Sequence, residues 1–207
     1  MGPPSAAWRR FSRPAPPRSS RICTLASPAA PRKAVPSTVT EPPVPPTQAS
    51  FRRPCRLRPA RSSDGTALYA VFFAAVHGGT VTAYSARERN AWAPSPTAPP
   101  DWNDRLMGGV TILAESRGRA AGFMTLGHDG HLDLAYVAPD HAGQGIGRAL
   151  HTAILDRARA QGLSLLDTQA SLIARPFFTA LGWQTIARQS VIREGVALTN
   201  FRMERLL

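Results

Sequence analysis

The residues predict one α/β (α+β) domain over about 55–207, with a mixed, mostly antiparallel sheet of six to seven strands flanked by about four helices. Three observations carry that prediction. The apolar patterns run in the order strand, two helices, three strands, helix, strand, helix, two strands. The three middle strands are separated only by short polar turns, as an antiparallel meander requires. A Gly-rich turn then joins the last of them to a helix with an unbroken apolar stripe.

Taken in order, Cys55 to Pro59 reads as a short strand, and Ser62-Ser63-Asp64 as the cap of a first helix. In that helix Leu68, Val71, Phe72, Ala75 and Val76 recur at helical spacing until Gly78-Gly79. Ser85-Ala86-Arg87-Glu88 has capping-box form and opens a short helix through Trp92, ended by the Pro-rich stretch 94–100, after which a loop is expected. Val110 to Glu115, Ala120 to Leu126 and His131 to Val137 read as the three strands of the meander. Ile146, Ala149, Leu150, Ala153, Ile154 and Ala158 place a stripe on one face of the next helix, closed by Gly162. Leu163 to Thr168 is a buried-type strand, Ser171 caps a helix through Leu181, and a hairpin turns at Glu194-Gly195.

Charge is unevenly distributed. Residues 1–61 hold 12 of the 25 basic residues and one acid, Glu41, whereas 62–207 are nearly neutral. The +12 net charge therefore describes the N-terminal segment and gives no reason to expect nucleic acid on the folded part. Residues 1–50, rich in Pro, Arg, Ser and Ala, lack apolar periodicity and read as a disordered extension. They are an inert tail or, as a minor alternative, an organelle-import segment on a protein otherwise expected in the cytoplasm. No apolar run is long enough for a membrane helix, and Cys23 and Cys55 have neither metal-ligand nor redox spacing, so no metal and no membrane partner are expected.

The turn Gly143-Gln144-Gly145-Ile146-Gly147 sits where a strand meets a helix N-terminus. Unpaired N–H groups and the positive end of the helix dipole there favour an anion, and glycine lets phosphate approach the backbone. A dinucleotide fingerprint fails because Arg148 and Leu150 occupy its third-glycine positions. A P-loop fails because Lys33, far upstream, is the chain's one lysine.

Val137 through Leu150 closely resembles the signature segment of the GNAT acetyltransferase superfamily, whose pattern is Gln or Arg, two residues, Gly, one residue, then Gly or Ala. Gly145 and Gly147 match, and Ala142 departs at the first position. Ser171 through Trp183 resembles a second block of that family, and the C-terminal residues are similar to small stand-alone bacterial members. The resemblance implies the GNAT fold over residues 55–207, splayed at the cofactor site, with a bulge around Ala135 to Val137 and acetyl-coenzyme A as cosubstrate. Main-chain groups of Tyr136, Val137 and Ala138 would hold pantetheine and polarise the thioester carbonyl, and Gln144, Gly145, Ile146, Gly147, Arg148 and Ala149 would bind the pyrophosphate. Ser171 would cap its helix and touch the cofactor. Phe178 stands where relatives commonly have a tyrosine that protonates the departing thiolate, so it would pack beside the cofactor, leaving the acid to water or Tyr136.

Direct attack needs a base to take a proton from the acceptor ammonium. Asp133 is the expected catalytic base, four residues before Val137, with His131 on its strand face as a water-relay candidate or a simple rim histidine. Tyr84, Trp92 and Trp102 are candidates for the acceptor wall. The expected function is acetyl transfer to a primary amine of a small molecule or peptide in a ternary complex. The alternative is a degenerate acyl-coenzyme-A-binding or sensor module, suggested by Ala142 and Phe178. Monomer and homodimer are both open.

Overall fold

A computed structural model describes residues 55–207; the expectations for residues 1–50 lie outside the described residues. Seven strands form one sheet in the order β1-β2-β3-β4-β5-β7-β6. They are β1 (Cys55–Pro59), β2 (Val110–Ser116), β3 (Arg119–Leu126), β4 (His131–Val137), β5 (Leu165–Ser171), β6 (Gln184–Arg193) and β7 (Val196–Leu206). Neighbours are antiparallel except β4 and β5, which are parallel. Five α-helices accompany them among the described residues: α1 (Gly65–Gly79), α2 (Ala86–Trp92), α3 (Trp102–Met107), α4 (Ile146–Ala160) and α5 (Ala174–Ala180).

Helix α3 corrects the loop expected after Pro100. Six residues are too few to show a period, and tertiary contacts hold the helix: Leu106 is buried and the Trp102 indole donates to the Gly65 carbonyl at 3.0 Å. The capping box of α2 forms as expected, with Ser85 Oγ accepting from the Glu88 N–H and the Glu88 carboxylate from the Ser85 N–H. Asp64 does not cap α1 with its side chain. Its carboxylate instead accepts from the Arg58 guanidinium at 2.7 Å and from the Arg61 N–H. Strand β5 starts later than expected because Leu163 is still closing α4 through its N–H to the Ala158 carbonyl. The strand consequently runs through Ser171, and the following helix begins at Ala174. Pro176 then falls in the first turn of α5, where its missing N–H costs nothing.

The buried stripe of α4, Ile146, Leu150, Ile154, Leu155 and Ala158, packs on Ile112, Met124, Leu126, Leu132 and Leu166 of the sheet. The other face carries aromatic rings: Tyr136 lies 4.9 Å from Phe72 of α1 and 5.8 Å from Phe123, centroid to centroid. The turn at the far end is built by Glu194 (φ 46°) and Gly195 (φ 70°), the paired positive φ of a tight hairpin. No helix among the described residues is long and apolar enough to cross a membrane.

Candidate active site

The Gly-rich turn caps α4 in the left-handed conformation. Gly145 is its N-cap at φ 83°, and Gly143 precedes it at φ 74°. The Gln144 side chain secures the turn, donating to the Asp140 carbonyl at 2.9 Å. The N–H groups of Ile146, Gly147 and Arg148 open the helix, where geometry provides no intrahelical acceptor. A Cβ on Gly147 would stand 3.2 Å from the Phe177 ring, so Phe177 backs this turn.

A gap runs away from the turn. Among the described residues β4 and β5 share only the rungs His131↔Asp167 and Leu132↔Thr168, although β4 continues to Val137 and β5 to Ser171. The Thr168 hydroxyl donates to the Leu132 carbonyl at 2.8 Å and pins the closed end. From that apex to Val137 is five residues, roughly 17 Å of extended chain. The mouth of the V lies beside the Gly-rich turn. Gly122 keeps this end tight, since a Cβ there would sit 2.9 Å from the Tyr136 carbonyl oxygen.

The irregularity in β4 lies at Asp133, not at the expected Ala135 to Val137. Thr125 pairs with Leu134 and Leu126 with Leu132, leaving Asp133 as the extra residue. The strand therefore changes phase. Leu132, Ala135 and Val137 belong to the α4 core, whereas Asp133 and Tyr136 meet residues of α1, α2 and α3.

Asp133 accepts two hydrogen bonds from Arg105 of α3, at 2.6 Å from Nε and 2.7 Å from Nη2. A fork of this kind favours the ionised carboxylate over its protonated form. Burial opposes the Arg105 charge, yet the bonds to Asp133 and its charge hold the guanidinium above its usual pKa. Arg193 at the end of β6 is held below its usual value, first by burial and then by the like charge of Arg105. Burial pushes the Tyr136 phenol up to about 12, against the lowering influence of Arg105, Arg193 and a hydrogen bond from Trp92. Such a phenol gives up its proton reluctantly, so its side chain is poorly suited to the acid role considered for it.

At the apex, His131 Nδ1 lies 2.8 Å from Asp167 Oδ2. Burial works against the charged ring, but the bond to Asp167 and its charge, with Asp133 and Asp129 adding, raise the His131 pKa. Among the described residues no three His, Cys, Asp or Glu side chains gather as a metal site.

Residues 80–205 match the family profile described as an acetyltransferase (GNAT) domain. The chain belongs to the GNAT acetyltransferase family. It is 28% identical over 149 residues to the uncharacterized N-acetyltransferase YafP of Escherichia coli, covering 72% of this chain and 93% of that one. It is 32% identical to a GCN5-related N-acetyltransferase structure from Rhodopseudomonas palustris, at a TM-score of 0.70 over 73% of this chain and 95% of that one. The putative acetyltransferase YncA of Salmonella typhimurium, solved with acetyl-CoA, shares the fold at a TM-score of 0.53 and 21% identity, covering 74% and 94%. The protein is accordingly an acyltransferase.

Within this GNAT framework two of the expected site residues have local roles in the fold. Phe178 is 2% exposed and packs on Phe177 and Trp183 in the α4 core, and the ring beside Gly147 is Phe177. Ser171 ends β5, and its hydroxyl accepts from the Ala174 N–H at 3.0 Å, two residues ahead of the α5 N-cap Ile173. Tyr84 is buried, donating to the Thr199 carbonyl at 2.6 Å and accepting from the Leu172 N–H. Trp102 is buried too, leaving Trp92, 6.5 Å from Tyr136, as the half-buried ring of the three acceptor-wall candidates. Sequence reasoning missed Arg105, Asp167, Arg193 and Phe177. A fork-capable Arg three residues after Trp102 was visible, but its partner lies 28 residues away.

Proposed function

We propose that this enzyme transfers the acetyl group of acetyl-CoA to a primary amine of a small molecule or peptide, by direct attack in a ternary complex. The observation that carries the reading is the V between β4 and β5, whose mouth opens at the N-terminus of α4. Pantetheine would lie in the V against the main chain of Tyr136, Val137 and Ala138, and the pyrophosphate on the N–H groups of Gln144 to Ala149. The pantetheine amides and the thioester carbonyl need donors and acceptors, and the diverging strand edges supply them.

The amine would approach from the face that carries Trp92, Tyr136 and the Asp133–Arg105 pair. Asp133, kept anionic by Arg105, attracts an ammonium group and orients it. We place the working domain at residues 55–207, in the cytoplasm, and outside the N-terminal extension.

Isothermal titration with acetyl-CoA, followed by turnover on a panel of amines, tests the proposal. Micromolar to millimolar binding with release of coenzyme A is expected; no binding at millimolar acetyl-CoA would overturn it. Ala142 in the signature segment and the core position of Phe178 favour a second reading, an acyl-coenzyme-A-binding module. Binding without turnover on any amine would select that reading.

A further inference from the structure

An alkyl amine is protonated near neutral pH, so attack on a thioester begins with the loss of a proton to some group at the acceptor site. Asp133 is held as an anion by two short bonds from Arg105, and accepting a proton there would give up charge-assisted bonds. Tyr136 is pushed up to about 12 and stays protonated. The apex of the V holds a different kind of group.

We infer that His131 is the catalytic base of this enzyme and that Asp167 positions it. This deepens the acetyltransfer reading and rests on it. An ionised carboxylate can only accept, so the 2.8 Å bond makes His131 Nδ1 the donor in both protonation states. The lone pair of the neutral ring is thereby fixed on Nε2. The pair is built into the sheet: His131 and Asp167 face each other across the parallel rung next to Leu132↔Thr168, where the strands begin to part. Both side chains are about three-quarters covered, at 29% and 23% exposure, which strengthens their attraction without removing solvent access.

The groups that set the charge around the ring are Asp167 on β5, Asp133 on β4 and Asp129 in the turn before β4. Glu204 of β7 pairs in register with Asp167, and Arg105 of α3 neutralises Asp133. The surroundings favour the imidazolium, as a base requires.

In the proposed step, neutral His131 Nε2 takes one proton from the R–NH3+ acceptor, directly or through one water, and becomes imidazolium. The freed amine nitrogen bonds to the thioester carbonyl carbon, the C–S bond breaks, and its electron pair leaves on the coenzyme A sulfur. That thiolate takes the second nitrogen proton through water, and His131 returns its proton to solvent. The products are the amide, coenzyme A and one proton.

The test combines ring-nitrogen NMR titration of the full chain with pH profiles of kcat for wild type, H131Q, D167N and D133N. His131 is expected to show the Nδ1–H tautomer and to titrate above 6.5, with that value falling in D167N. H131Q is expected to lower kcat at neutral pH by about 100-fold or more, with the deficit closing at alkaline pH as the amine loses its own proton, and with KM for acetyl-CoA unchanged. D167N should shift the acidic limb of the profile downward. Imidazole in the buffer should partly rescue H131A, which a purely structural role would not allow. An Nε2–H tautomer, a His131 pKa below 6.5, or an H131Q enzyme with wild-type turnover and profile would each overturn the inference. A wild type that binds acetyl-CoA but turns over no amine defeats the acetyltransfer reading and this one together. An active wild type indifferent to H131Q defeats this one alone.

Discussion

The two faces of β4 treat a histidine in opposite ways. On the α4 side, His151 is 3% exposed, and its Nε2 accepts from the Trp183 indole at 2.9 Å. Burial, helped by the charges of Arg205 and Arg148, lowers its pKa to about 4, so the ring is neutral and serves as a core acceptor. On the other side, His131 meets Asp167 and its pKa is raised. The same side chain is a neutral core acceptor in one place and has its charged form favoured in the other. What separates them is the presence of a carboxylate partner, since burial opposes the charged form in both.

The comparison breaks most visibly in acid. An unfolded histidine binds its proton near 6.5 and folded His151 near 4, so its contribution to stability is present above about pH 6.5 and is lost as pH falls toward 4. The loss is up to about 3 kcal/mol, measured as the denaturation midpoint across that range, and H151L should remove this component. His131 has the reverse sign, contributing fully below 6.5 and losing its contribution as pH rises through its raised value.

A second test concerns the other face. R105A removes both hydrogen bonds that Asp133 accepts from the guanidinium, and should cost about 2 kcal/mol in denaturant titration and raise KM for the amine. Wild-type stability together with wild-type KM would show that the pair is ornamental.

F178Y sharpens the contrast further. Restoring the relatives' tyrosine puts a hydroxyl into the core beside Trp183, so about 1–2 kcal/mol of destabilisation with no gain in kcat is expected. A faster F178Y enzyme would move Phe178 back to the cofactor. The smallest effect is that of S171A, about 0.5–1 kcal/mol in melting experiments with unchanged acetyl-CoA affinity, because the hydroxyl holds the first N–H of α5.

Much of the fold was legible. The capping box at Ser85, the α4 stripe from Ile146 to Ala158 and the turn at Glu194-Gly195 each depend on residues within a few positions of one another. The same holds for Gly145, whose positive φ turns the chain into α4 by local backbone geometry alone. Where structure and local pattern differ, a distant contact overrides the pattern. Helix α3 forms because Trp102 reaches Gly65, and the bulge falls at Asp133 because β3 pairs on both sides of it.

The sequence by itself determined the family, the order of the elements apart from α3, and the glycine turn that opens α4, because periodicity, capping and glycine geometry are short-range properties of the chain. Only the tertiary structure decided the state of each ionisable group. The partners Arg105–Asp133, Trp183–His151 and His131–Asp167 lie 28, 32 and 36 residues apart. Sheet topology brings them together, and the burial and charge that set a proton's affinity exist only after it has done so.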